Sequence, residues 1–423
     1  MKHNPYKADW HHLNTLYLLA AICMIFMTFA IAIQPLYLRS VLGVSLEGAG
    51  TINASIQVIT EIIDLLLIGY LGYLSDRIGR IPVIIYGFLI AAFAAFISPF
   101  SAEIAAMLGL SSLTVYFASR IIMSLGTAAV WPQLSALTGD FSDPESRAKL
   151  TSNTAFMMAF GGTLVYAVLM QIPPHSGIQF SMLLIVIIAI AGAYIAKNNL
   201  IDVAEKLEDK SIPVEKILAL LKQKPQLRLT YVAAFSGRND MVLIGLFLML
   251  WYVYFADLVN LPYEQAATKA GLLIGYIGLI TLISIPLWGR FIDHYGRVLS
   301  IAIGLAISAT GFIGLAFIVN PFSLWIMIPA TFIAIGQAGM IIAPQILTMD
   351  IAPENMRGSI LGGFNTVGVI GIIIFVQIGG FAFDTIGPYA PFLITGLFNL
   401  VIAFYALLIN KNSSKIDLLN ESA

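Results

Sequence analysis

The stretch Gly72-Tyr73-Leu74-Ser75-Asp76-Arg77-Ile78-Gly79-Arg80 returns 217 positions later as Gly289-Arg290-Phe291-Ile292-Asp293-His294-Tyr295-Gly296-Arg297. The glycine, the aspartate and the closing Gly-Arg keep the same spacing in both copies. A second pair of loops repeats in the same register. Arg147 follows Asp140, and Arg357 follows Asp350, by seven residues each. Two polar loops that recur in step mean two copies of one unit, and duplicated halves in an apolar chain point to a transporter.

Outward from these loops the sequence turns apolar. Runs such as Leu16 to Ala32, Ile81 to Ile97 and Phe180 to Ala196 approach the roughly 20 residues that cross a bilayer as a helix. Of the 423 residues, 59% are hydrophobic and 11% charged, less than half the charge of a soluble domain, so the solvent for most of this chain is lipid. Backbone in lipid must satisfy itself as helix or closed barrel. The runs are continuous, not alternating, which excludes barrel strands. The reading is an all-α membrane protein with twelve transmembrane helices at about 14–38, 52–74, 82–100, 113–138, 150–171, 178–197, 229–256, 267–289, 298–319, 322–348, 359–383 and 389–410. It divides into an N-terminal six-helix bundle (1–197), a cytoplasmic linker (198–228) with an amphipathic helix near 213–222 or a plain solvated linker, and a C-terminal six-helix bundle (229–423).

Lysine and arginine fix the orientation. Eighteen of the 22 fall in the termini or in loops on the same side as the termini. Arg39 and Lys269 fall opposite, and Arg120 and Arg238 lie within spans. Basic residues stay inside, so both termini are expected in the cytoplasm and the protein in the cell (inner) membrane. The short polar start, Met1 to His12, leads into a retained helix and not a cleaved signal. Cys23 is the single cysteine, so no internal disulfide is possible. The net charge of −1 says nothing about nucleic acid, and no basic stripe suggests it, so none is expected as a partner.

Gly72 to Arg80 resembles the signature of the major facilitator superfamily (MFS) between its second and third helices, and Gly289 to Arg297 resembles its degenerate second copy. The resemblance covers the whole chain. It implies two pseudo-symmetric six-helix bundles around a cavity lined by helices 1, 4, 7 and 10, and alternating access by rocking of the halves. Ile81 and His294 stand where the family usually has basic residues. A conformational latch is expected at Gly72, Asp76, Arg77, Gly79, Arg80, Asp140, Arg147, Asp293, Gly296, Arg297, Asp350 and Arg357, with Asp76 near the start of helix eleven as the resemblance implies. A carboxylate at a loop end suits the positive N-terminus of a neighbouring helix.

Charges at membrane depth cost at least about 2.5 kcal/mol each and are functional candidates by default. In the second span Asn53, Gln57, Thr60, Glu61 and Asp64 share a face of about 100°. In the fourth, Arg120, Ser124, Thr127 and Trp131 do the same, with Pro132 beside them. The run from Arg120 through Gly126 to Ala128 resembles the family's fourth-helix motif, whose arginine is linked with proton coupling; Met123 replaces its glutamine. Arg238 and Asp240 in the seventh span point to nearly opposite faces, so that helix is broken near Gly237, or each charge pairs with another helix, or the segment is a cytoplasmic end. Gln337 and Gln345 complete the candidate cavity from the tenth span.

These residues predict a secondary transporter moving a small polar solute, coupled to a proton or ion and free of other cofactors. The alternative is a metal cation such as iron, held by hard oxygens. A non-transporting sensor or scaffold is a further alternative, disfavoured because no signalling domain is appended. No nucleophile–base constellation suggests an enzyme, and no metal ligand set stands out. The partners expected are the bilayer and the solute, with the chain a monomer.

Overall fold

Each apolar run becomes one helix. The computed structural model describes residues 9–142, 146–202, 214–353 and 356–421. Among these residues, the twelve helices long and apolar enough to cross a membrane begin with α1 (Trp10–Ser40), α2 (Ala49–Ile78), α3 (Arg80–Leu108), α4 (Ser112–Asp140), α5 (Lys149–Ser176) and α6 (Ile178–Asn199). They continue with α7 (Pro225–Val259), α8 (Tyr263–Tyr295), α9 (Arg297–Leu315), α10 (Leu324–Ile351), α11 (Arg357–Thr385) and α12 (Ala390–Lys411). The protein is therefore a multi-pass integral membrane protein, with no strand among the described residues.

Most helices run past the expected ends. The eighth, expected at 267–289, spans Tyr263–Tyr295. Hydropathy marks only the part in lipid, while a hydrogen-bonded helix continues into water with little penalty. The ninth is shorter than expected, closing at Leu315 after Gly311 and Gly314.

Local chemistry sets the breaks. Asp9 accepts from the His12 backbone N–H at 3.0 Å and caps α1. Pro35 cannot supply an amide hydrogen, and α1 bends at Ile33 before a short segment Gln34–Ser40. Gly79 and Gly296 hold φ of +98° and +83°, a left-handed region favouring glycine. That one residue turns the chain from α2 into α3 and from α8 into α9, which explains why Gly-Arg recurs. In the linker, Val214–Gln223 is helical. It lays Ile217 against Leu227, Tyr231, Ala352 and Ile360. Residues 203–213 of the linker lie outside the described residues.

The chain divides into two compact units. One comprises Met1–Ser45, Ile56–Asp209 and Tyr252–Gly275; the other Leu46–Ser55, Lys210–Trp251 and Tyr276–Ala423. In the first, α1 packs on α4, α5 and α6, and α3 on α4 and α6. In the second, α7 packs on α10, α11 and α12, and α9 on α10 and α12. Every pairing in the first set becomes one in the second on adding six to each helix number. The repeat seen in the loops is thus a repeat of packing.

Candidate functional site

The α2 stripe meets α4 inside the first unit. Gln57, Thr60, Glu61 and Asp64 line one face of a cavity of about 50 Å³, with Arg120, Met123, Ser124 and Thr127 of α4 opposite and Met27, Ala30 and Ile31 of α1 closing it. Gln57 Nε2 donates to Glu61 Oε1 at 2.8 Å. The Ser124 hydroxyl reaches the Thr60 carbonyl oxygen, at 2.9 Å, and Asp64 Oδ1. Arg120 is buried; one of its terminal nitrogens approaches the Met123 sulfur at 3.3 Å and its Nε has no partner. Gln57 Oε1 is likewise buried without a partner. The cavity therefore holds two carboxylates, one guanidinium and two unpartnered polar atoms. Such a set can exchange partners and accept a polar guest.

The other candidates are placed elsewhere. Asn53 is buried and donates to the Ala49 carbonyl of its own helix at 2.9 Å. Trp131 is half-buried, Gln337 is buried with Nε2 unpartnered, and Gln345 is exposed. None of the four lines the α2–α4 cavity. Helix α7 is interrupted at Arg238 between Pro225–Gly237 and Asn239–Leu243, then widens to a π segment at Ile244–Leu248. Two of the sequence alternatives hold together here: the helix breaks, and each charge finds a different helix. Arg238 donates to Asn365 Oδ1 of α11 at 2.6 Å. Asp240 is fully buried, accepting from Ser308 of α9 at 3.3 Å, while Asn399 of α12 joins Ser308 at 3.4 Å and accepts from Ser236.

The repeated loops are joined in each half. Arg80 donates through Nε to Asp140 Oδ2, with Asp76 at 3.5 Å and Gln133 at 3.4 Å. Arg297 Nε donates to Asp350 Oδ2 at 2.9 Å. Two motifs that the sequence shows separately form one ion pair in each copy. Arg77 lies over the Tyr73 ring at 4.7 Å, and Gly72 has open space around it. Asp293 and Arg357 are exposed; the Arg147 side chain lies outside the described residues.

Several polar residues escaped sequence reasoning. Asp202 accepts from the backbone N–H groups of Arg80 and Ile81 at 3.0 and 3.2 Å and so caps α3. Ser308 and Asn399 are neutral and unremarkable until their neighbours are known. At the ends of helices opposite the termini, Arg39 donates to Asp257 at 2.6 Å, with the Tyr254 and Tyr263 rings at 5.2 and 5.3 Å.

The family model of the Major Facilitator Superfamily matches residues 16–376 and again 241–421. The chain belongs to the Major Facilitator Superfamily. A chain built of two similar halves admits both placements. It is 54% identical over 402 residues to magnetosome protein MamH of Paramagnetospirillum magneticum, covering 95% of this chain and 93% of that one. It is 36% identical over 397 residues to magnetosome protein MamZ of the same organism, covering 93% of this chain and 62% of the relative. Among solved structures, a point mutant of the nucleoside transporter NupG superposes with a TM-score of 0.74 at 13% identity, over 94% and 99% of the two chains. A D-xylose–proton symporter gives 0.72 at 15% identity, over 93% and 97%. At these identities the structures establish a shared fold. The protein is a member of a transporter family whose substrates are small molecules handled within a membrane.

Proposed function

We propose that this protein moves a small polar solute across its membrane by alternating access, driven by a proton gradient. The observation that carries the reading is the convergence of Glu61, Asp64 and Arg120 on one cavity with Gln57, Ser124 and Thr127. Arg120 lines the same cavity as both carboxylates. When the guanidinium favours one acid, the other is the candidate to take a proton; moving the arginine between them loads and releases it. The two bundles, 1–197 and 229–423, rock about the linker, with the Arg80–Asp140 and Arg297–Asp350 pairs keeping each half rigid. The D-xylose–proton symporter shares the fold and lends support to the coupling ion. Both termini face the cytoplasm, the chain acts as a monomer, and it resides in the cell membrane or, as the names of its relatives suggest, in the magnetosome membrane.

The test is accumulation of a solute panel in proteoliposomes under an imposed pH gradient. Glu61→Gln should abolish pH-driven accumulation and leave exchange down a solute gradient. If Glu61→Gln and Asp64→Asn both retain full pH-driven accumulation, the carboxylates are structural and the mechanism fails.

A second reading, a metal cation as cargo, is favoured by one feature. Gln57 Oε1 is unpartnered beside Glu61 and Asp64, giving hard oxygen donors. The magnetosome names of the relatives agree with it. The charge of Arg120 opposes it, and among the described residues no three His, Cys, Asp or Glu side chains gather as a metal-holding group. Uptake of ferrous or manganous ion into dye-loaded liposomes, with the Glu61→Gln variant as control, separates the two readings.

A further inference from the structure

We propose that Asp384 is a positioning residue of the transport cycle, a carboxylate fastening that ties α2 to α11 and is released when that tie opens. The first backbone N–H groups of any helix lack partners within it. In α2 they find Asp384: Gly50 N–H donates to Oδ1 at 2.7 Å, Thr51 N–H to Oδ2 at 2.8 Å, and the Thr51 hydroxyl to Oδ2 at 2.6 Å. A cap supplied from 334 and 333 positions away is not a device for starting a helix. Glycines allow the approach: a Cβ on Gly50 would lie 2.5 Å from the Gly380 carbonyl oxygen.

Asp384 is also misplaced by the rules of its own helix. It sits in the last turn of α11, where the helix dipole disfavours an anion. The positive N-terminus of α2 is what makes the carboxylate favourable there. Parting the two helices would leave an acid at the wrong end of one helix and bare amides at the start of the other. Both penalties fall on the parted state.

The tie reaches the cavity through rigid helix. Gln57, Glu61 and Asp64 follow Thr51 on α2 by 6, 10 and 13 residues, or about 9, 15 and 20 Å of helix rise. Thr51 and the acids stand on one continuous helix, Ala49–Ile78, so a movement at the fastening is carried along α2 to the cavity. The inference rests on alternating access but not on which solute or ion is carried.

The experiment places spin labels at Leu46→Cys and Ile386→Cys, two exposed positions flanking the tie, in a Cys23→Ala background in liposomes without substrate. Asp384→Ala should raise the longer-distance population relative to the shorter by about tenfold, the scale of losing a charged helix cap. Asp384→Asn keeps the shape and one acceptor and should give a smaller shift, and Thr51→Val a smaller one still, in the same direction. Should Asp384→Ala fold poorly, the latter two carry the test. Unchanged distance distributions in the folded variants overturn the proposal. Because no transport is measured, that outcome is distinguishable from failure of proton coupling.

Discussion

Arg120 lies buried on α4 with its Nε unpartnered, facing the acids Glu61 and Asp64 of α2. Removing the one buried cation beside two half-buried carboxylates leaves their charge without a counter-ion and destabilises the fold. Arg120→Gln should therefore lower the melting temperature of the detergent-purified protein sharply, and adding Glu61→Gln should recover part of the loss. A single variant that melts with the wild type would show that the arginine balances nothing. At the membrane edge, the N–H of His12 holds the Asp9 carboxyl below its ordinary value. A depressed acid stabilises the fold fully above its unfolded pKa and loses that contribution as pH falls through the folded one. Hydrogen exchange at the first turn of α1 should thus rise on acidification below the ordinary aspartate range, and Asp9→Asn should flatten the response. The α2 stripe and Arg120 were legible because charges inside apolar runs stand out. Asp384 and Asp202 were not, since an acid at a span end reads as solvated until the helix facing it is known.

Helices carry their own constraints. Gly126, within the run that resembles the fourth-helix motif, packs α4 onto α3 so closely that a Cβ would lie 2.6 Å from the Gly87 carbonyl oxygen. Gly126→Val should cost about 1–3 kcal/mol through overpacking, read as lost thermal stability with the α2 and α4 cavity residues unchanged. Helix α7 does the opposite, giving up regular hydrogen bonding at Arg238 to send Asp240 toward α9 and α12. Asn399→Leu should remove a polar partner from that buried group and lower stability by about 1–3 kcal/mol. Asp240→Asn, which keeps the shape, should be far milder. All twelve helices were readable from apolar run length, and the break in α7 was one of the readings left open. The π segment was not, because nothing in Ile244–Leu248 differs in composition from an ordinary transmembrane turn.

Across the whole chain, the pairings of α1 with α4, α5 and α6 recur as α7 with α10, α11 and α12, which is why two short loops sufficed to reveal the architecture. The division of labour is less symmetric: Glu61, Asp64 and Arg120 have no charged counterparts at matching depth in α8 or α10. The loop asymmetry in lysine and arginine makes one prediction at this scale. A fluorescent protein fused to the C-terminus should mature and fluoresce in cells, and an alkaline phosphatase fused there should be inactive; the reverse pattern would invert the topology.

The two copies of the arginine–aspartate pair differ in one respect. The Arg80 side chain is 9% exposed beside Asp140, whereas Arg297 is 37% exposed beside Asp350. Exposed charges are screened by dissolved ions over a Debye length of about 8 Å at physiological ionic strength, and buried ones much less. Rising salt should therefore slacken the second fastening while leaving the first intact. The two halves of one duplicated molecule thus answer differently to the saltiness of the compartment their loops face.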